Sequence, residues 1–161
     1  MVFAKLRGLR AGIIGAAREG TALAQFLAAQ GTEVTLSDMQ SAEVLAERLQ
    51  PLEGLQIRLI LGRNSPELLD VDVLFLSPGV PPYAPIVQEA RRRGVPLSSE
   101  PRLFTQLCEA PVVGITGSSG KTTTTTLIGR MFARDGRETW VGGNIGRPLI
   151  GELLGGRQPD V

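Results

Sequence analysis

The sequence predicts an α/β fold: a parallel sheet of βαβ units, followed by the start of a second α/β unit. Two observations carry that expectation. Short apolar runs alternate with longer stretches whose apolar residues recur at helical spacing. The 20 glycines and 11 prolines punctuate the chain between those runs instead of clustering. Residues 11–14 form a first strand that stops at Gly15. A helix over 21–29 follows, with Leu23, Phe26 and Leu27 on one face and Gly31 as its stop. The second strand, 34–36, runs out at Asp38. Ser41 then caps a helix reaching Leu49, with Glu43 in the first turn favouring the positive end of the dipole. Strands at 59–61 and 73–76 come next, the latter breaking into Ser77, Pro78 and Gly79. A helix over 86–93 leads to a strand at 95–97.

The second unit divides the chain into 1–99 and 100–161. Within it, an apolar strand at 111–116 precedes a glycine loop and a helix reaching about Arg134. A further short strand starts at 139–141, and another at Asp160. One complete helix is too little for an independent nucleotide-binding core, so this unit reads as incomplete.

Composition narrows the function. Apolar residues at 42% and charged residues at 20% describe a globular chain. Seventeen basic against sixteen acidic side chains give a formal charge of +1. That balance argues against a general nucleic-acid or anionic-membrane binder. The single cysteine excludes an internal disulfide, and the lack of histidine excludes a histidine triad or a His-ligated metal within these residues. With no charged start ahead of an apolar run and no membrane-length apolar stretch, a soluble cytoplasmic protein is expected.

In a parallel sheet, ligands bind beyond the carboxyl ends of the strands. The loop Gly15, Ala16, Ala17, Arg18, Glu19, Gly20 lies on that edge and has the frame of a dinucleotide-binding turn. Ala17 replaces the middle glycine and narrows the backbone approach to a diphosphate. A purely structural strand-to-helix turn explains the loop equally well. Asp38 is placed to accept from a ribose or a base, or to serve as a turn residue. The sharper signal is Gly117, Ser118, Ser119, Gly120, Lys121, Thr122. Backbone N–H groups of such a loop cradle phosphates, the lysine reaches the terminal phosphates, and the threonine hydroxyl ligates Mg²⁺. The strict pattern wants a glycine five residues before Gly120, where Ile115 stands, so this is a shorter form. Asn144, set among Gly142, Gly143 and Gly146, fits either backbone close to a ligand or a left-handed turn.

Taken in order, these loops resemble those of the Mur ligases of peptidoglycan synthesis, and most closely the D-glutamate-adding branch. The resemblance covers essentially the whole chain. It implies a Rossmann-like first domain for a UDP moiety and the start of a central P-loop ATPase domain. It further implies that Arg18, Glu19 and Gly20 line the UDP diphosphate, that Asp38 faces the uracil, and that Ser77, Pro78 and Gly79 border the same site. Gly117, Ser118, Ser119, Gly120, Lys121, Thr122 and Thr123 would hold ATP. Lys121 would sit on the phosphates and Thr122 on Mg²⁺, and Asn144 would touch the muramoyl part. The implied substrates are UDP-N-acetylmuramoyl-L-alanine and D-glutamate, joined through an acyl phosphate at the expense of ATP. The metal-binding glutamate and the third domain of that family have no counterpart here, so an N-terminal portion without ligase activity of its own is expected. A non-catalytic NAD-binding module, the L-alanine-adding branch of the family and a kinase-like P-loop protein remain as alternatives. An uncovered central sheet would also leave Val112, Ile115, Leu127 and Ile128 exposed and prone to self-association.

Overall fold

The computed structural model describes residues 6–143 and 147–161. Five strands, β1 Arg10–Ile14, β2 Glu33–Asp38, β3 Ile57–Leu61, β4 Val73–Leu76 and β5 Leu97–Ser98, form one parallel sheet in the order β3-β2-β1-β4-β5. The chain leaves the central strand β1 first to one side and then, through β4, to the other. The β1–β4 edge is therefore the topological switch point, where a crevice opens in sheets of this kind.

Among the described residues, five α-helices accompany the strands: α1 Arg18–Ala29, α2 Ala42–Leu49, α3 Pro85–Arg92, α4 Glu100–Leu107 and α5 Lys121–Arg134. Alternation along the strands sends neighbouring residues into two cores. Ile13 and Phe75 join the core of Leu23, Leu27 and Leu36, whereas Ile14 and Leu74 join that of Leu68, Val87 and Ala90. Both faces of the sheet are thus covered, as a parallel sheet requires. Burying each Leu or Phe contributes about 1.5–3 kcal/mol, so the packed faces of α1 and α3 hold the sheet edge in place. The expected face of α1 is found: Leu23, Phe26 and Leu27 are buried, and Gly31 follows with φ +76°.

Several elements depart from the sequence reading. Pro96 has no N–H to give, so only its carbonyl joins the sheet, accepting from Leu74 N–H at 2.9 Å, and β5 starts at Leu97 instead of 95. Ser41 occupies the cap position of α2 but makes no capping bond. Its hydroxyl bonds the Glu43 carboxylate, which it helps hold below the usual range. Helix α4 was not anticipated. It begins at Ser99-Glu100-Pro101 and buries Leu103 and Phe104 in the same core as α1.

The second unit shows the largest difference. Residues 111–116 are not a strand; Val112 and Val113 are half exposed with no ladder beside them. A strand exists only through its hydrogen-bonded neighbours, and among the described residues no strand of the sheet pairs with this segment. Residues 139–141 are not a strand either. A parallel contact does form there: Trp140 N–H donates to the Val161 carbonyl at 3.0 Å and Val161 N–H to that of Glu138 at 3.4 Å. The helix expected after the glycine loop is present as α5, with Leu127 and Met131 exposed. No helix among the described residues is long and apolar enough to cross a membrane.

Candidate functional site

The three motifs at the carboxyl edge of the sheet form one hydrogen-bonded unit. Gly15 has φ +102°, and a Cβ there would stand 2.8 Å from Cβ and Oγ of Ser77. Gly20, in the first turn of α1, packs so tightly that its Cβ would lie 1.8 Å from the Gly15 carbonyl oxygen. Ala17 between them is extended, with φ −79°, and needs no glycine. Its methyl lines the cleft above. The loop is fastened from both sides. Gly15 N–H donates to the Ser37 carbonyl at 2.7 Å, and Ala16 N–H to Asp38 Oδ2 at 2.7 Å. The Ser77 hydroxyl donates to the Gly15 carbonyl at 3.1 Å, while Ser77 N–H donates to that of Ile14 at 3.0 Å.

These bonds give Asp38 and Ser77 a first task apart from any ligand. The Asp38 carboxylate also accepts from Gln40 N–H at 2.9 Å, so each of its oxygens already holds one backbone amide. Each oxygen keeps a further acceptor position.

A cleft of 1320 Å³ opens above this unit, and Arg18, Glu19, Asp38, Ser77, Pro78 and Gly79 all line it. Gly20 does not line it; the residue is buried beneath and sets how closely α1 approaches the loop. The first turn of α1 opens onto the cleft, and a helix N-terminus favours an anion. Arg48 of α2 and Asn64 after β3 line the cleft and were missed in the sequence. Arg48 reads there only as a charge on an exposed helix. Gly143 and Pro148 close the cleft from the second unit, and Asn144 lies outside the described residues.

The acids around the cleft differ in character. Burial pushes the Glu19 carboxyl up. Glu89, also on the lining, is held down to about 2 by hydrogen bonds from Arg92 and Arg93. Glu100, just outside, is pushed up by burial and by the charge of Glu19, against the opposing effect of a bond from Ile150 N–H.

The phosphate-loop residues stand apart. Gly117, Ser118, Ser119 and Gly120 are exposed ahead of α5, and neither they nor Lys121, Thr122 and Thr123 line the cleft. Lys121 curls back so that Nζ donates to the Gly117 carbonyl at 2.6 Å, which holds the ammonium over the loop. The first turn of α5 carries no acid. Ammonium, hydroxyl and first-turn amides form a donor set that suits phosphate. For Mg²⁺, Thr122 offers one oxygen, and no group of three or more Asp, Glu or Cys converges among the described residues. The residues therefore fit a metal that arrives with phosphate oxygens.

Comparison with known proteins shows the family to which the sheet belongs. Residues 10–99 match the family described as Mur ligase MurD-like, N-terminal domain. The UDP-N-acetylmuramoylalanine--D-glutamate ligase of Symbiobacterium thermophilum is 49% identical over 145 residues, covering 89% of this chain and 32% of that protein. The ligase of the same name from Geobacter metallireducens is 45% identical over 145 residues, again 89% and 32%. The chain spans about a third of the length of the curated relatives it matches. Among solved structures, the UDP-N-acetylmuramate:L-alanyl-gamma-D-glutamyl-meso-diaminopimelate ligase of Neisseria meningitides superposes with a TM-score of 0.55 at 23% identity, over 88% of this chain and 46% of that one. A murein peptide ligase from Psychrobacter arcticus gives 0.50 at 20% identity, over 80% and 27%. At those identities the two structures speak for the fold alone. With the family match across the whole sheet, from β1 to the end of β5, the chain belongs to the MurD-like Mur ligases and carries their N-terminal domain.

Proposed function

We propose that the cleft binds the UDP moiety of UDP-N-acetylmuramoyl-L-alanine, and that the chain serves the ATP-dependent addition of D-glutamate to that substrate in the cytoplasm. The observation that supports this most is the convergence of Arg18, Glu19, Asp38 and Ser77-Pro78-Gly79 on one cleft at the switch point of the sheet. The α1 N-terminus and Arg18 suit the diphosphate, with Gly20 allowing the close approach of helix and loop. Asp38 has acceptor positions left for the N–H of a uracil, and its two backbone bonds keep the carboxylate from swinging away. Asn144, beside the Gly143 that lines the cleft, is assigned to the muramoyl part.

Residues 100–161 are read as the start of the central ATP-binding domain. Gly117, Ser118, Ser119, Gly120 and Thr123 would hold ATP together with Lys121 and Thr122, and Thr122 would ligate Mg²⁺. ATP held there would be the source of a phosphoryl group for the substrate carboxylate. Lys121 would offset negative charge on that group, and the α5 amides would orient it. Residues 1–161 by themselves are expected to bind UDP without turning over D-glutamate.

Calorimetric titration with UDP, with NAD as comparison, tests this reading. UDP binding without NAD binding supports it. NAD binding without UDP reassigns the cleft to a dinucleotide, and D-glutamate-dependent ATP turnover by this chain refutes the expected lack of activity.

A further inference from the structure

Glu100 is 4% exposed, and nothing in the proposed chemistry uses it. It stands in the first turn of α4, and its Oε1 accepts from Ile150 N–H at 3.0 Å across fifty residues of chain. Ile150 is fully buried and is the second residue of a single helical turn, Leu149–Leu153, which packs against both α1 and α4. A buried carboxylate is costly unless it holds a hydrogen bond, and the first amides of a helical turn need an acceptor. Each group here answers the other. Immediately before that turn comes Pro148, which lines the cleft together with Gly143. Glu19 of α1, whose charge reaches Glu100, also lines the cleft. The bond thus fixes the turn to α4, and the turn packs in turn on α1, whose first residues line the cleft.

We propose that Glu100 is a positioning residue for the nucleotide cleft: by anchoring the turn at Ile150 it sets Gly143 and Pro148 against the opening beside the α1 N-terminus. The inference rests on reading the cleft as the UDP site. A separate readout is available in Trp140, the single tryptophan, which is half-buried against the same core cluster as Ile150.

The test compares the full chain with Glu100→Ala, Glu100→Asp and Glu100→Gln by UDP titration and by Trp140 emission, with far-UV circular dichroism reporting the sheet. Alanine removes the acceptor, and aspartate keeps the charge but withdraws it by one methylene. Glutamine keeps an acceptor oxygen at the original reach. Glu100→Ala and Glu100→Asp are expected to red-shift Trp140 emission and to weaken UDP binding by about tenfold, the scale of one lost buried hydrogen bond. Glu100→Gln is expected to retain both the emission and, within about twofold, the affinity. Should Glu100→Ala fail to fold, Glu100→Asp against Glu100→Gln carries the test. Unchanged emission in the aspartate variant overturns the proposal, as does a shifted emission with unchanged UDP affinity, or equal losses in all variants. If the parent chain itself binds no UDP, the nucleotide reading fails and the positioning proposal falls with it, while the Trp140 shift still shows whether Glu100 anchors the turn.

Discussion

The substitution Gly20→Ala tests the geometry on which the cleft depends. An added Cβ would lie 1.8 Å from the Gly15 carbonyl oxygen, where ordinary contact begins near 3.4 Å, so α1 and the loop would have to part by about 1.6 Å. A shift of that size breaks the Ser77 hydroxyl bond to Gly15, now 3.1 Å, and strains the Gly15 and Ala16 amide bonds to Ser37 and Asp38, both 2.7 Å. Overpacking costs about 1–3 kcal/mol and one lost hydrogen bond about 1 kcal/mol, which together come to about 2–4 kcal/mol. For a chain of this size that lowers Tm by roughly 5–15 °C. Thermal and urea unfolding followed by circular dichroism measures it. Gly79→Ala is the control, because its Cβ would meet nothing within 4 Å and its φ is not in the left-handed region. Equal stability of Gly20→Ala and the parent, with UDP binding retained, would refute the close approach of helix and loop.

Ser77→Ala is expected to cost about 1 kcal/mol in urea unfolding, because the Gly15 carbonyl loses its hydroxyl partner while the backbone bond to Ile14 survives. Lys121→Ala is expected to abolish any Mg-ATP binding seen by calorimetry without moving Tm, since Nζ bonds only an exposed loop carbonyl among the described contacts. For Glu100, burial raises the carboxyl above its ordinary 4.5, so its contribution to stability is complete below 4.5 and is lost as pH rises through the raised value. Glu100→Gln removes that loss, and its Tm should gain on the parent as pH rises above 4.5 in parallel melting curves. The exposed Val113 and Leu127 are expected to drive concentration-dependent association. Light scattering should detect it, and Val113→Lys with Leu127→Lys should reduce it.

Much of the sheet was legible because its signals are local. The apolar runs of β1 and β4 and the face of α1 are each decided within a few residues, and Gly15 and Asp38 mark strand ends by their chemistry alone. Departures arose where the hydrogen-bond partner, near or far along the chain, decides. Ser41 was assigned the backbone amides, yet a neighbouring carboxylate takes its hydroxyl. Pro96 displaced β5 because a ladder counts donors, which an apolar run does not reveal. Glu100 reads as an ordinary helix-start acid, and only the fold brings Ile150 to it from fifty residues away.

The candidate site shows the same division within single residues. Sequence spacing placed Asp38 and Ser77 at the ligand edge, and both do line the cleft. Their hydrogen bonds, however, run first to the loop: two amides on Asp38, and one carbonyl under the Ser77 hydroxyl. Residues that fasten the anion-binding turn must stand where the anion would stand, so proximity cannot separate bracing from contact. Bonding capacity can. Asp38 retains acceptor positions after its two bonds, whereas Ser77 has spent its only proton on Gly15 and can offer a ligand only an acceptor oxygen and no donated bond. A diphosphate presents acceptors alone, so in the proposed UDP site Ser77 would shape the edge while Arg18 and the α1 amides would supply the donors.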